Sequence, residues 1–475
     1  MASFEYRGVV EGFYGAPWAH ADRLWLIERL SAWGMNCYVY APKDDALNRE
    51  RWREPYPRQE LDQFSELVRR GEAGGVQVGF AISPGLSICY SDPDDRERLI
   101  RKFTDFYEMG ARFLTLALDD CPSEFEHAED ARVFESLARA HADLMRELVE
   151  RFPDATWWLV PLDYLGTEET SYLKVLGVEL PNRVEVAWTG RTVVSPRIET
   201  AEAAQRAGTL GRRLLLWDNV PVADGPMRSM LHLGPYGGRA ADLPTHCRGV
   251  LLNPMEQLRA SSVGLATAAE YLAAPDRYDP EASWSRVLRE VGAGAEGALV
   301  RFAQAHRFSP TWSDARDREL EQSFARLASV IEAGGDVEPV LDHLSAQLAE
   351  RLGASAELRE NLEDRRLSVE LEPWLDSHLA ETMRMQAAAD AARLLMSDAS
   401  ARDRVLAYLS MQSRLSQLRP SDKTSYGPRR AVYPQLAALG NDNMAFGPDR
   451  ALFRGCNLSD ELVEFVEDLA VWLLG

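Results

Sequence analysis

The segment FLTLALDD, residues 113–120, joins a short apolar run to two adjacent carboxylates. A turn signal, Cys121-Pro122-Ser123, follows it, and an apolar run bounded in this way is typical of a buried strand. Two carboxylates at the edge of a core are costly unless they are hydrogen-bonded or one keeps its proton. Such pairs commonly act as an acid and a base. An aspartate here could equally cap a helix, so the dipeptide alone leaves both interpretations open.

Seven further apolar runs of similar length alternate with helical patterns up to about residue 275. In one helical pattern, residues 18–33, Leu24, Ile27 and Leu30 fall on one face. Another covers residues 93–109 and is bounded by Asp92 as N-cap, Pro93 in the first helical position and Gly110 as C-cap. The eight apolar runs are 6–10, 36–41, 77–82, 112–118, 156–162, 184–188, 213–217 and 249–252.

This alternation predicts an α/β fold, a (β/α)8 TIM-like barrel, because eight strands and their helices occupy about 270 residues in such barrels. A doubly wound open sheet is the structural alternative, but its glycine-rich phosphate loop is missing. We therefore predict a catalytic barrel domain over residues 1–275.

Beyond residue 280 the strand pattern ends and apolar residues repeat at helical spacing. Leu320, Phe324, Leu327 and Ile331 form one stripe, and a second runs from Leu341 to Leu352. We predict an all-α helical bundle domain over residues 276–475, whose apolar stripes pack internally or against a second subunit. Further helices are predicted at 371–396, 401–417 and 458–473, and a long loop with one short helix at 418–457.

Composition limits the function classes. With 475 residues, 46% hydrophobic and 27% charged, the chain resembles an ordered globular protein of two or three domains. Its 74 acidic and 53 basic residues give a net charge of −21, which argues against nucleic acid and anionic membranes as partners. No apolar stretch approaches about 20 residues, so no membrane span is predicted.

The N-terminal segment, residues 1–6, lacks the basic and apolar regions of a signal peptide. The cysteines are odd in number and have no metal-ligand spacing, so we expect reduced thiols in a cytoplasmic protein. No metal or cofactor is predicted. The cysteines are Cys37, Cys89, Cys121, Cys247 and Cys456.

Polar or aromatic side chains follow seven of the eight predicted strands, at the end of the barrel where active sites lie. Together they have the composition of a sugar pocket. Each also has a simpler explanation: Gly12 and Gly15 could only turn the chain, and Lys43 could pair with Asp44 or Asp45 on the surface. Likewise, Trp188 and Trp217 could fill the barrel top, and Asn219 and Asn253 could hold loops. The strand ends are 11–15, 43–45, 119–120, 163–164, 188–190, 217–219 and 253–254.

In the order of their motifs, residues 5–275 strongly resemble glycoside hydrolase family 84, which contains the O-GlcNAcases and related β-N-acetylglucosaminidases. The combination is highly specific, although each motif alone would be weak. The motifs are RGVVEGFYG (7–15), PW (17–18), YAPKDD (40–45), REPYP (53–57), LDD (118–120), VPLDY (160–164), AWTG (187–190), LLWDN (215–219), LGPYGGR (233–239) and LNPME (252–256).

The resemblance implies substrate-assisted hydrolysis, an exception to the two-carboxylate scheme of most glycosidases. The sugar's own 2-acetamido oxygen would attack the anomeric carbon and form an oxazoline. Asp119 would accept the acetamido N–H, and Asp120 would act first as general acid and then as base. An acid must be protonated near neutral pH, so we expect a raised pKa at Asp120, helped by an anionic Asp119.

Substrate contacts are also implied by the resemblance. Gly12 would offer a carbonyl and Lys43 would reach a ring hydroxyl. Tyr164 would bond near the acetamido oxygen, Trp217 would wall the methyl pocket and Asn219 would orient the group. Asp224 and Asn253 would bind hydroxyls at the far end of the sugar. Gly225 follows Asp224 where the family often has Tyr, which leaves one aromatic wall of the pocket in question.

We therefore predict a cytoplasmic, retaining exo-β-N-acetylglucosaminidase that acts on terminal β-linked GlcNAc, including O-GlcNAc on serine or threonine of peptides and proteins. Family members in animals form a homodimer through a helical domain, so a homodimer is a further expectation. Two alternatives remain open: an endo-acting hydrolase of hyaluronan or chitin-like chains, and a GlcNAc-peptide binding protein without catalysis.

Overall fold

A computed structural model of the chain describes residues 3–309, 317–418 and 458–474. Eight parallel strands form a closed barrel in chain order, and the last strand pairs with the first. The predicted (β/α)8 barrel is therefore confirmed, with strand bounds within about two residues of the predicted runs. The strands are β1 (Tyr6–Glu11), β2 (Cys37–Tyr40), β3 (Gln77–Ile82), β4 (Phe113–Ala117), β5 (Thr156–Val160), β6 (Val184–Trp188), β7 (Leu214–Asp218) and β8 (Cys247–Leu252).

Helices cover the outside of the barrel. The cap predicted at Asp92 is present, because its side chain accepts a hydrogen bond from the Asp94 N–H and Pro93 begins the helix. Gly110 ends the same helix with a positive φ of 99°, which glycine adopts without a steric penalty. The helices are α1 (His20–Ala32), α2 (Arg58–Gly74), α3 (Pro93–Glu108), α4 (Asp130–Val133), α5 (Leu137–Arg151), α6 (Ser171–Glu179), α7 (Thr200–Leu210) and α8 (Leu258–Ala273).

The strands read as continuous apolar runs because both of their faces are buried. Successive side chains point to opposite faces of a strand. Thus Val10 and Trp158 belong to the small core inside the barrel, whereas Val9 and Trp157 belong to the large core between strands and helices. Burial on both sides leaves only the strand ends free to carry polar chemistry.

The described part of the chain after residue 275 is helical, as predicted. None of the helices in the described ranges is long and apolar enough to cross a membrane. The stretch predicted as a loop, 418–457, lies outside the described residues except for Leu418. The helices are α9 (Pro280–Val291), α10 (Glu296–Ala305), α11 (Arg318–Glu332), α12 (Glu338–Asn361), α13 (Arg365–Met396), α14 (Ala401–Gln417) and α15 (Leu458–Leu474).

The later helices divide between two hydrophobic cores. The core around the barrel continues through Trp284 of α9 and Leu358 of α12 to Trp374 of α13. A second core joins α11 and the far part of α13 to α14 and α15. The division at residue 275 stays a prediction, but apolar packing is continuous across it.

Candidate active site

A pocket lies where the carboxyl ends of the strands meet, and it encloses about 650 Å³, including the part open to solvent. All nine residues that the sequence analysis selected line it, so side chains far apart in the chain converge on one space. Residues from the loops after β1, β6 and β7 complete the wall. The nine are Gly12, Lys43, Asp119, Asp120, Tyr164, Trp217, Asn219, Asp224 and Asn253.

Asp119 is buried and forms an ion pair with Lys43, whose Nζ lies 2.5 Å from Asp119 Oδ2. The surface pairing of Lys43 with Asp44 or Asp45 is therefore not what the structure has. The other oxygen, Asp119 Oδ1, is buried and has no hydrogen-bond partner among the described residues. A buried acceptor without a donor is costly, which makes this oxygen the most conspicuous unsatisfied group in the pocket.

Asp120 is held by two phenols. Tyr14 Oη donates to Asp120 Oδ2 at 2.8 Å, and Tyr164 Oη donates to Oδ1 at 3.0 Å. The backbone of Asp120 has a φ of 50°, the one positive value at a non-glycine residue in the described ranges. Such strained backbone costs free energy and is concentrated at functional sites.

The expectation of a raised pKa at Asp120 is wrong for the protein without a bound ligand. Burial alone would raise this pKa, but the positive charge of Lys43 and the hydrogen bonds from Tyr14 and Tyr164, together with Arg49, lower it below its ordinary value. Lys43 Nζ lies 3.9 Å from Asp120 Oδ2, close enough for this effect. The negative charge of Asp119 is evident from its place next to Asp120 in the chain, whereas these donors come from other loops.

Two asparagine side chains form a hydrogen-bond network in the wall of the pocket. Asn253 Oδ1 accepts from the Gly12 N–H at 3.1 Å, and Asn253 Nδ2 donates to Asn219 Oδ1 at 2.8 Å. Asn219 also accepts from Trp217 Nε1 and donates to the Val193 carbonyl. Both asparagines therefore hold loops together and line the pocket, so the two interpretations of the sequence apply at once.

Gly12 permits a close approach between β1 and the indole of Trp217. A Cβ at residue 12 would lie 2.3 Å from Trp217 Cζ2, well inside van der Waals contact. Trp188, by contrast, is fully buried and donates its Nε1 proton to the Gly166 carbonyl. Trp188 therefore packs in the core between the strands and the helices and does not fill the barrel top, whereas Trp217 faces the pocket.

Asp224 lies in the loop after β7, where its Oδ2 accepts from the Tyr14 N–H at 2.8 Å. Burial raises the pKa of Asp224, and the negative charge of Asp120 adds to this. The next residue, Gly225, has a φ of 49° and begins a short 3-10 turn. Pro226 and Met227 of this turn line the pocket, so apolar aliphatic side chains provide the wall that was in question.

Comparison with known proteins agrees with this geometry. The family model described as beta-N-acetylglucosaminidase (NAGidase) matches residues 7–304. A mutant of the Thermobaculum terrenum O-GlcNAc hydrolase has a solved structure with 30% sequence identity and a TM-score of 0.81, and the match covers 99% of this chain and 94% of that one. The protein belongs to the β-N-acetylglucosaminidase family.

Other relatives extend this result. The Protein O-GlcNAcases of Rattus norvegicus and Mus musculus are each 35% identical over 271 residues, 56% of this chain. The match spans only 29% of the length of these relatives. The solved structure of CpGH84B has 25% identity and a TM-score of 0.79, covering 98% of this chain and 77% of that one.

Two residues of this β-N-acetylglucosaminidase family site were missed as candidates. Tyr14 lies in the strand end 11–15, and this place at the rim of the barrel could have marked it as a pocket residue. Arg49 lies in the loop after β2, and its Nη1 donates to Tyr14 Oη at 2.9 Å. No sequence signal marks Arg49, because a six-residue separation from Lys43 does not show which way the loop turns.

In the described part of the chain, no group of three or more His, Cys, Asp or Glu side chains could hold a metal ion. The polar side chains that line the pocket are carboxylates, phenols, amides, the Thr189 hydroxyl and the Lys43 ammonium group.

Proposed function

We propose that the protein is a retaining exo-β-N-acetylglucosaminidase that removes terminal β-linked GlcNAc, including GlcNAc on serine or threonine of peptides. The observation that carries this proposal is Asp119 Oδ1, a buried carboxylate oxygen in the pocket without a donor among the described residues. The amide N–H of a 2-acetamido group would supply the missing hydrogen bond. The names of the relatives, O-GlcNAc hydrolase and Protein O-GlcNAcase, support the choice of sugar.

In the proposed first step the acetamido oxygen attacks the anomeric carbon, and the bond from that carbon to the leaving oxygen breaks. Asp120 gives its proton to the leaving oxygen, and Asp119 stabilises the positive charge that develops on the acetamido group. The product of this step is an oxazolinium ion, the protonated form of the oxazoline, whose N–H stays hydrogen-bonded to Asp119. Water then attacks the anomeric carbon, Asp120 takes the water's proton, and the bond to the acetamido oxygen breaks. Two inversions leave the β configuration unchanged.

Asp120 must carry a proton for the first step, although its pKa is lowered in the protein without ligand. A sugar seated over the pocket would exclude water from the carboxyl group, and desolvation favours the neutral form of an acid. We infer that substrate binding itself raises the pKa of Asp120.

The exo mode is supported by Asp224 and Asn253, which line the same pocket as the carboxylate pair. Asn253 is hydrogen-bonded to Gly12 and Asn219. A carboxylate and an amide at this place would bind the terminal sugar's hydroxyls and leave no path for a further sugar unit.

A cytoplasmic location and a homodimer belong to the proposal as well. The four described cysteines are all unpaired, as in reducing compartments.

The test is turnover of a fluorogenic aryl β-GlcNAc substrate, measured beside binding of GlcNAc-peptides by calorimetry. We expect turnover, with β-GlcNAc as the first anomer seen by proton NMR. Binding without turnover would instead indicate a non-catalytic GlcNAc-peptide binder, and an initial α-anomer would contradict retention.

Profiling on GlcNAc-peptides, chito-oligosaccharides, hyaluronan and muropeptides then separates the modes of action. An exo enzyme releases only monosaccharide from the non-reducing end. Release of internal fragments would overturn the exo assignment in favour of an endo-acting hydrolase.

A further inference from the structure

Arg49 makes two contacts with the Asp120 region without lining the pocket. Its Nη1 donates to Tyr14 Oη at 2.9 Å, and its Nη2 donates to the main-chain carbonyl of Asp120 at 3.3 Å. The same Tyr14 hydroxyl donates to Asp120 Oδ2 at 2.8 Å. One guanidinium therefore restrains both the backbone of Asp120 and, through Tyr14, its carboxyl group.

This restraint acts on the strained backbone of Asp120. Asp120 has a φ of 50°, and a non-glycine residue keeps such a conformation only when its surroundings enforce it. The carbonyl that Arg49 holds belongs to the strained residue itself. Loss of the hydrogen bond would let the peptide relax toward a negative φ, which would turn the carboxyl group away from its present direction.

The loop that carries Arg49 is itself anchored firmly. Lys102 of α3 is buried, and its ammonium group donates to the carbonyls of Leu47, Trp52 and Glu54 on either side of Arg49. Asn48 Nδ2 donates to the Ala81 carbonyl at 2.7 Å, which ties the same loop to β3. The backbone that carries the guanidinium is therefore held in place, as a positioning group requires.

The Arg49 side chain is buried and depends on its contacts with Tyr14 and Asp120. It is only 8% exposed, and its Nε is buried without a partner among the described residues. An arginine buried at that cost must form strong contacts elsewhere, and the hydroxyl of Tyr14 and the carbonyl of Asp120 provide them. A guanidinium can serve both acceptors at once because its donors form a planar fork, which a lysine ammonium lacks.

We propose that Arg49 is a positioning residue for proton transfer, which holds the strained Asp120 backbone and the Tyr14 hydroxyl so that the Asp120 carboxyl group faces the leaving oxygen. This inference rests on the proposed function, because it assumes that Asp120 is the general acid. Nothing in it requires Arg49 to touch the substrate.

The test is the leaving-group dependence of kcat/KM for Arg49→Met. A 2,4-dinitrophenyl leaving group departs without protonation, whereas the serine hydroxyl of a GlcNAc-peptide needs a proton from the acid. We expect kcat/KM to fall by about a hundredfold on the GlcNAc-peptide, as for a misplaced catalytic group, and by less than about tenfold on 2,4-dinitrophenyl β-GlcNAc. A merely structural role would lower both by the same factor, and that result would overturn the proposal.

Controls keep the outcome decisive. Arg51→Met, on the same loop with a side chain 56% exposed, should leave both values unchanged. If Arg49→Met loses its native circular dichroism, Arg49→Lys decides instead: it keeps the charge but cannot serve both acceptors, so the leaving-group difference should persist at smaller size. Equal losses in Arg49→Lys would contradict the proposal. Absence of turnover by the unmodified protein on both substrates would overturn the proposed function, and this inference with it.

Discussion

Asp119 and Asp120 are adjacent in the chain, yet their carboxyl groups have different surroundings. Asp119 faces the ammonium of Lys43 and keeps one oxygen without a donor among the described residues. Asp120 receives hydrogen bonds from Tyr14 and Tyr164 on both oxygens. This asymmetry suits the proposed roles, in which Asp119 orients the acetamide and Asp120 transfers a proton.

Asp120→Asn should lower kcat/KM on GlcNAc-peptides by roughly 10²–10⁴-fold, the usual contribution of general acid–base catalysis. Binding of the peptide should survive, since asparagine keeps the shape of the side chain. Asp119→Asn should slow oxazoline formation even with an activated leaving group. Steady-state kinetics and calorimetry on both variants check these outcomes; full activity of either variant on an aryl GlcNAc substrate would refute the roles.

Lys43→Met should change the pH dependence of kcat/KM. The charge of Lys43 has the largest effect among the groups that lower the pKa of Asp120 against burial, so its removal should raise that pKa. The protonated acid then persists to higher pH, and the limb where kcat/KM falls with rising pH should move upward. Lys174→Met is the matched control, because Lys174 is 59% exposed and pairs with Glu169. A limb that stays in place would exclude Lys43 as the cause.

At the residue scale, strand ends are predictable because the carboxyl ends of parallel strands meet at one rim. All nine selected residues are found there. The pKa of Asp120 was predicted in the wrong direction, since it depends on phenols and a guanidinium brought in by other loops. Arg49 was missed for the same reason: the anchoring of its loop by Lys102 is a tertiary contact.

At the scale of single elements, α8 is unusual because nearly all of its residues are buried, between the barrel and the later helices. Glu370 of α13 approaches the first turn of α8 and accepts from the Ala260 N–H at 2.9 Å. Burial raises the pKa of Glu370 to about 7. This carboxyl group therefore ties the helical region to the start of α8.

Glu370→Gln should flatten the pH dependence of Tm between about pH 4.5 and pH 7. The pKa of Glu370 is raised on folding, so its stabilising effect is complete below the unfolded value near 4.5 and is lost as pH rises through about 7. Glutamine keeps the acceptor for Ala260 but cannot ionise. The variant should thus gain about 1 to 3 kcal/mol relative to the parent between those limits.

The control for this experiment is Glu372→Gln on the same helix. Glu372 is 51% exposed and pairs with Arg359, so its replacement should leave the shape of the Tm curve unchanged. An unaltered curve in Glu370→Gln as well would show that Glu370 does not titrate in this range.

The elements themselves were largely predictable. Helix α14 was predicted at its observed bounds, 401–417, and α3 within one residue, because Asp92, Pro93 and Gly110 mark its ends. The approach of Glu370 to α8 was not, since a single glutamate on a helix gives no sign of its partner.

At the scale of the whole molecule, the helical region supports the pocket directly. Trp374 of α13 is 4% exposed and donates its Nε1 proton to the Ser229 carbonyl at 3.0 Å. Ser229 follows the turn that carries Asp224 and Met227 to the pocket. Contact between the two regions thus holds a wall of the site.

Trp374→Ala should lower Tm and raise KM together. Removal of a buried tryptophan costs about 3–5 kcal/mol, and the segment around Ser229 would lose its support, so Asp224 would be less well fixed. Trp472→Ala provides the control: Trp472 is 75% exposed, and its replacement should cost no more than about 0.5 kcal/mol. Thermal scans and steady-state kinetics on both variants test this; a lowered Tm with an unchanged KM would contradict the link to the pocket.

The sequence predicted two regions of different secondary structure but not their shared core. Apolar stripes at helical spacing show that a helix buries one face, and they do not say against which neighbour. The continuity of the barrel core into α9, α12 and α13 therefore had to be seen in three dimensions.

The left-handed backbone of Asp120 also guides the making of a substrate-trapping reagent. Asparagine tolerates a positive φ far better than alanine does, so Asp120→Asn should keep the present backbone conformation, whereas Asp120→Ala should add a strain of about 1–2 kcal/mol. An inactive protein meant to capture GlcNAc-modified peptides from a mixture is therefore better built with asparagine than with alanine at this residue.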